Sequence, residues 1–261
     1  MRIFFVTNNY IPYSGGVTQA IIATSEELRA QGHQVFIITL DFEPKAQPAP
    51  STELRINSAS AMADKADPEY VIRVPCPITF MYKKNYMAIP WRPTHFITQL
   101  LKQYKPDIVH VHHPFLLGVS ALHAARACNI PCVFTYHTMY EDYAHYVPLP
   151  RYFTKKLISS AVRRFCNGVD GIIAPSNAIK EYLVNQQIKT RITVIPSPLR
   201  TIFLTHPTRS AHNNNFNLLV VSRFVPEKKT FHLFLMFLSN FQIILRSHLL
   251  VMGLITNARN N

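Results

Sequence analysis

The sequence predicts an α/β protein built on a doubly wound parallel sheet, from three observations. Short apolar runs alternate with amphipathic stretches of helical spacing. The first run, Ile3 to Val6, leads through Gly15-Gly16 into a helix and then a second apolar run, the opening unit of such a fold. Polar clusters stand directly after the apolar runs, where an open parallel sheet binds its ligands.

Each element follows from its own pattern. Ile3 to Val6 is continuous and apolar, as a strand buried on both faces requires. After the loop Thr7 to Ser14, a helix is expected from Val17 to Ala30 with its inner face at Ile21, Ile22, Ser25 and Leu28. Gly32 closes it, because glycine takes the left-handed conformation of a helix end. Val35 to Leu40 is the second strand. Residues 42–67, rich in Pro, Ala and Ser, form an irregular excursion. Tyr70 to Val74 reads as a strand, and Pro75 to Pro93 as a proline-punctuated surface loop. Thr94 to Tyr104 has helical spacing at Phe96, Leu100 and Leu101. Then come a strand at Asp107 to His112, a helix at Leu116 to Ala127 and a strand at Val133 to Thr135. Arg151 to Cys166 is an amphipathic helix, Gly171 to Ala174 a strand, Asn177 to Val184 a helix capped by Ser176, and Ile192 to Ile195 a strand. Pro196, Pro198, Pro207 and an asparagine run mark an interdomain linker, so the expected domains are 1–197 and 217–261, joined by 198–216. Leu218 to Val221 opens the second unit.

Of 261 residues, 48% are apolar and 16% charged, which excludes a disordered chain. A net charge of +13 calls for an anionic partner: a phosphate-bearing ligand, nucleic acid or an anionic membrane. The chain has no zinc-ligand pairs, RNP-type aromatics or arginine-rich run, so nucleic acid is set aside. Cys76, Cys128, Cys132 and Cys166 form no C-x-x-C pair and sit in or beside apolar segments, as reduced core cysteines of a cytosolic protein do. The apolar start breaks at Thr7-Asn8-Asn9, too early for a signal peptide, and no run is long enough to span a bilayer.

The densest polar cluster is His137-Thr138-Met139-Tyr140-Glu141-Asp142-Tyr143, directly after a core strand. Gly15 and Gly16 stand at a helix N-terminus, whose free N–H groups suit a phosphate or sugar oxygen; alone, such a turn also serves only to make a bend. Arg223 and Lys228 follow the first strand of the second unit and suit a diphosphate, or else form a solvated basic loop. His110 and His112 share a strand face, near His113. No carboxylate or cysteine stands at metal-ligand spacing from them, so the reading is of polar histidines at a ligand cleft with no metal. The helix from Arg151 is read with Arg151, Lys155, Lys156, Arg163 and Arg164 on one side, with Ser159 and Ser160, and Phe153, Leu157, Ile158, Ala161, Val162 and Phe165 on the other. This is a surface helix packed on the sheet whose basic side also suits an anionic lipid surface.

Gly15-Gly16-Val17, His110-Val111-His112-His113-Pro114-Phe115, the His137–Tyr143 segment, Ile173-Ala174-Pro175-Ser176, Val194-Ile195-Pro196 and Ser222-Arg223 with Lys228 occur in that order. Together they resemble the family 4 retaining glycosyltransferases of the GT-B fold, and the His137 segment resembles the bacterial diacylglycerol glucosyltransferases. The resemblance covers about residues 1–230. It implies two Rossmann-like domains facing a cleft, the N-terminal one for the acceptor and the C-terminal one for the sugar nucleotide. It places Gly15, Gly16, Arg223 and Lys228 on the donor diphosphate, His137 near the transferred sugar as the catalytic residue, and His112, Glu141, Asp142 and Tyr143 on the acceptor side. The implied substrates are a UDP-hexose and a membrane lipid, used without a cofactor at the inner face of the cell membrane. The family's second domain carries a pair of glutamates for the donor, whereas no Asp or Glu follows Glu227 here. The tail is therefore expected to be a truncated or frame-shifted second domain. The alternative is a non-catalytic remnant that binds a lipid surface, or a pseudogene product.

Overall fold

The structure, a computed structural model, describes residues 1–13, 15–41, 69–82, 85–141 and 151–200. The chain divides into two compact units, Met1–His206 and Pro207–Asn261, and the described residues belong to the first. The strand at 218–221, the end of the expected linker and the excursion at 42–67 lie outside them.

Strands β1 (Arg2–Val6), β2 (Gln34–Leu40), β3 (Val71–Val74), β6 (Ile108–Val111), β7 (Cys132–Thr135), β8 (Gly171–Ala174) and β9 (Ile192–Val194) form one parallel sheet in the order β3-β2-β1-β6-β7-β8-β9. The order reverses beside β1, and there the crevice of a doubly wound sheet opens. Alternation along β1 makes two cores: Phe4 and Val6 enter the larger, Ile3 and Phe5 the smaller. Helix α1 (Gly16–Ala30) packs Ile21 into the smaller core. Helices α2 (Pro93–Tyr104), α3 (Leu117–Ala127), α4 (Arg151–Cys166) and α5 (Asn177–Asn185) cover the other face through Ile97, Ala121, Val162 and Leu183. The expected doubly wound α/β fold is the observed one. Ser176 caps α5 as expected, its Oγ accepting the Ile179 N–H at 3.3 Å.

Two expectations need correction. Pro75–Pro93 is not all loop: β4 (Ile78–Tyr82) and β5 (Asn85–Ile89) pair antiparallel within it. Pro75, Pro77, Pro90 and Pro93 all flank the pairing and none lies inside it, so no ladder donor is lost. The N–H of Trp91 closes the base on Pro75 O at 3.1 Å.

Helix α4 does not split into a basic and an apolar side. Its buried face is Thr154, Val162, Phe165 and Cys166, with Ile158 partly buried. Phe153 and Leu157 are 66% and 63% exposed, and Ala161 is exposed too. They share the outer surface with Lys156 and Arg164. The expected split was drawn from residue type alone. The core instead takes the i, i+4, i+8 stripe starting at Thr154.

Candidate functional site

The carboxyl ends of β1, β6 and β7 lie side by side, with Phe5 opposite His110 and His110 opposite Val133. Their last residues carry the candidate site. His112 Nδ1 lies 2.9 Å from His137 Nε2, and His110 Nε2 lies 2.7 Å from Thr135 Oγ1. The three rings stack, with centroids 4.3 Å apart for His110–His112 and 5.2 Å for His112–His137. Phe5 meets His110 and His112 edge-on.

Burial holds these histidines uncharged. Desolvation pushes His110 down to about 3, with the nearby His137 adding to it. It pushes His113 and His137 down to about 4, and His112 well below the usual 6.5. With both rings neutral, one nitrogen of the His112–His137 pair carries the hydrogen and the other accepts it. The tautomer of His112 therefore decides whether Nδ1 of His137 donates or accepts. Among the described residues, no group of histidine, cysteine, aspartate or glutamate is placed to hold a metal.

The orientation of His137 is set by its neighbours in sequence. Tyr136 and Tyr140 are buried, and an edge-to-face series runs from Phe115 through Tyr140 and Tyr136 to Phe134 and Phe165. Anchored on both sides, the segment can turn only the polar residues between the tyrosines toward the strand ends.

Sequence reasoning missed a clamp from the first loop. Thr7 Oγ1 lies 3.1 Å from His113 Nδ1, and the Asn8 N–H reaches the same nitrogen at 3.3 Å. The Asn8 side chain donates to Phe115 O and accepts the Leu117 N–H, each at 3.2 Å, so it caps α3. The signal available in sequence was Thr7-Asn8-Asn9, polar and directly after β1.

Gly15 is the N-cap of α1 and Gly16 its first residue; a Cβ on Gly16 would meet nothing within 4 Å. Glu141 joins α4, where its Oε1 accepts the Ser159 hydroxyl at 2.9 Å and its Oε2 is buried without a partner among the described residues. A cavity of about 560 Å³ there is lined by Glu141, Lys155, Lys156, Ser159, Arg163 and Tyr182. Three residues assigned to a membrane-facing side thus line a cavity with a residue assigned to the acceptor. Arg164 is exposed, and Arg151 begins the helix. Asp142, Tyr143, Arg223 and Lys228 lie outside the described residues.

Stability should report these partly buried, desolvated histidines. Between pH 6.5 and about 4 the unfolded chain binds protons that folded His113 and His137 refuse, and for His110 the window extends to about 3. Their contribution is fully present above 6.5 and is lost as pH falls through that window, at up to about 1.4 kcal/mol per pH unit for each histidine. Urea midpoints at pH 7.5 and 5.0 are expected to differ accordingly; equal midpoints would mean the cluster is solvated.

Comparison with known proteins matches a family model, Glycosyltransferase Family 4, to residues 14–201. An alpha-monoglucosyldiacylglycerol synthase of Streptococcus pneumoniae is 31% identical over 213 residues, covering 82% of this chain and 44% of the relative. One of Acholeplasma laidlawii is 26% identical over 271 residues, 97% of this chain and 63% of the relative. A GDP-mannose-dependent alpha-mannosyltransferase of Mycobacterium tuberculosis is 29% identical over 188 residues, 72% of this chain and 45% of the relative. The chain spans about half the length of these relatives. Among solved structures, a sucrose-phosphate synthase from Thermosynechococcus elongatus shares the fold at TM-score 0.52 and 15% identity, over 75% of this chain and 47% of that one.

Proposed function

The chain belongs to glycosyltransferase family 4, and from that premise we propose that it forms the acceptor-side domain of an enzyme that transfers a hexose from a nucleotide sugar, a UDP-hexose, to the hydroxyl of a diacylglycerol-like membrane lipid, with retention at the sugar. The observation that carries the reading is the His112–His137 pair at the carboxyl ends of β6 and β7, next to the sheet's switch point and inside the residues that the family matches. The names of the pneumococcal and Acholeplasma relatives favour a diacylglycerol-type acceptor.

Chemically, the transfer asks for three things. The leaving diphosphate needs fixed positive charge as the bond breaks; the N-terminus of α1 at Gly16 supplies part of it, and Arg223 and Lys228 are proposed to supply the rest. The sugar and acceptor hydroxyls need positioned hydrogen-bond partners, and a neutral His137 held by His112 is one. The lipid must be reached at its surface. Helix α4 displays Tyr152, Phe153 and Leu157 beside Lys156 and Arg164, a mixture that lies flat in the headgroup layer of an anionic membrane. Among the described residues no helix is long and apolar enough to cross a membrane, and peripheral binding at the inner face is the mode proposed.

The test joins residues 1–201 to the remaining part of the pneumococcal relative and supplies UDP-glucose and diacylglycerol in vesicles. Glycolipid formation is expected on vesicles containing phosphatidylglycerol and should fall as salt rises. Replacing Phe153 and Leu157 together with serine should lower it about tenfold or more, each side chain losing about 1.5–3 kcal/mol of burial. A folded hybrid that releases UDP but forms no glycolipid would overturn the acceptor assignment.

A further inference from the structure

The β4–β5 hairpin meets the core through Ala88, with Thr79 opposite it exposed, and is bare on its other face. Ala88 is buried in the larger core, while the cross-strand pairs Ile78–Ile89 and Phe80–Met87 stand together on the opposite face. All four are exposed, by 41% to 55%, and Trp91, just past the second strand, is 70% exposed. Soluble surfaces rarely leave so many large apolar groups contiguous and uncovered.

The cations nearest them along the chain point to what covers them. Between Glu69 and Asp107 the sequence has no carboxylate and six cations: Arg73, Lys83, Lys84, Arg92, Lys102 and Lys105. In sequence Lys83 and Lys84 stand between the two strands, and exposed Arg92 follows Trp91. Apolar and aromatic groups fringed by lysine and arginine are what the boundary between lipid headgroups and acyl chains selects.

We propose that the apolar face of the β4–β5 hairpin, with Trp91 beside it, inserts into the headgroup–acyl boundary of an anionic lipid bilayer. This rests on the lipid-directed reading above and adds a second membrane contact, on a different element from α4. The prolines that flank the hairpin and the Trp91–Pro75 hydrogen bond keep it a formed unit that enters the bilayer without refolding. In a two-stranded ladder about half of each strand's N–H and C=O groups point away from the pair, so the side-chain face enters the boundary while both edges stay at the hydrated headgroup level.

Trp91 is the chain's only tryptophan, so its fluorescence reports on this element alone. The full chain is mixed with vesicles of phosphatidylcholine, with or without phosphatidylglycerol, and each sample is also sedimented. The expected result is a blue shift of Trp91 emission on the anionic vesicles, with quenching by lipids brominated on their acyl chains. Phe80→Ser with Met87→Ser, both at exposed positions, should lower partitioning at least about tenfold. If the protein sediments with anionic vesicles while Trp91 emission stays unshifted and unquenched, the hairpin proposal fails and the α4 contact stands. If it does not sediment at all, both fail. A blue shift that grows with protein concentration in the absence of lipid, with a dimer in sedimentation velocity, would show that a second copy covers this face and would overturn the proposal.

Discussion

His137→Ala is expected to lower sugar transfer by about a hundredfold or more while leaving the hybrid enzyme folded. Loss of one positioned hydrogen bond at a reacting centre is commonly worth that much. The imidazole is partly buried, and among the described residues it hydrogen-bonds His112. Truncation therefore leaves His112 Nδ1 unpaired, at about 1–3 kcal/mol. For a unit of this size that is roughly 2–12 °C in melting temperature. The backbone should hold, because Tyr136 and Tyr140 anchor the segment from both sides. Transfer rate and thermal melts are measured on the same preparation. A variant that melts many degrees lower yet transfers sugar at the normal rate would make His137 a structural residue and remove it from the site.

Gly118→Ala should cost the first unit about 3 kcal/mol or more. A Cβ at Gly118 would overlap the His113 carbonyl oxygen and sit 3.0 Å from Val111 Cγ1. Relief would require a backbone shift, and that backbone is tied down. The His113 ring is bound by Thr7 and by the Asn8 N–H, and the Asn8 side chain holds Phe115 O and the Leu117 N–H. The melting temperature is expected to drop by roughly 6–12 °C. A loss below about 2 °C would mean that the loop between β6 and α3 yields freely. Gly16→Ala is the control, because its Cβ would enter open space and α1 should tolerate it.

The sequence made the sheet legible because a strand buried on both faces is largely apolar, and Ile3–Val6, Val35–Ile38 and Gly171–Ala174 are continuous apolar runs. The polar residues at strand ends were legible for the same reason: His112 and His137 each mark where an apolar run stops. What stayed hidden was which of them meet. The 2.9 Å contact joins residues 25 apart in sequence, and it exists because β7 was placed beside β6. The clamp by Asn8 spans 109 residues to Leu117. Neither pairing has a local signal.

Local periodicity is a property of consecutive residues, so the sequence by itself determined the fold class, the order of nearly all elements and the position of the candidate site at the strand ends. It could not say which side of an element faces the core when apolar residues ring it. On α4 the sheet took the stripe through Thr154 and Val162 and left Phe153 and Leu157 outside. In the hairpin, the tertiary structure buried Ala88 and left Phe80 and Met87 bare. Both choices follow from packing: a close-packed core admits the residues whose positions on the element face it, whatever the hydrophobicity of those that face away.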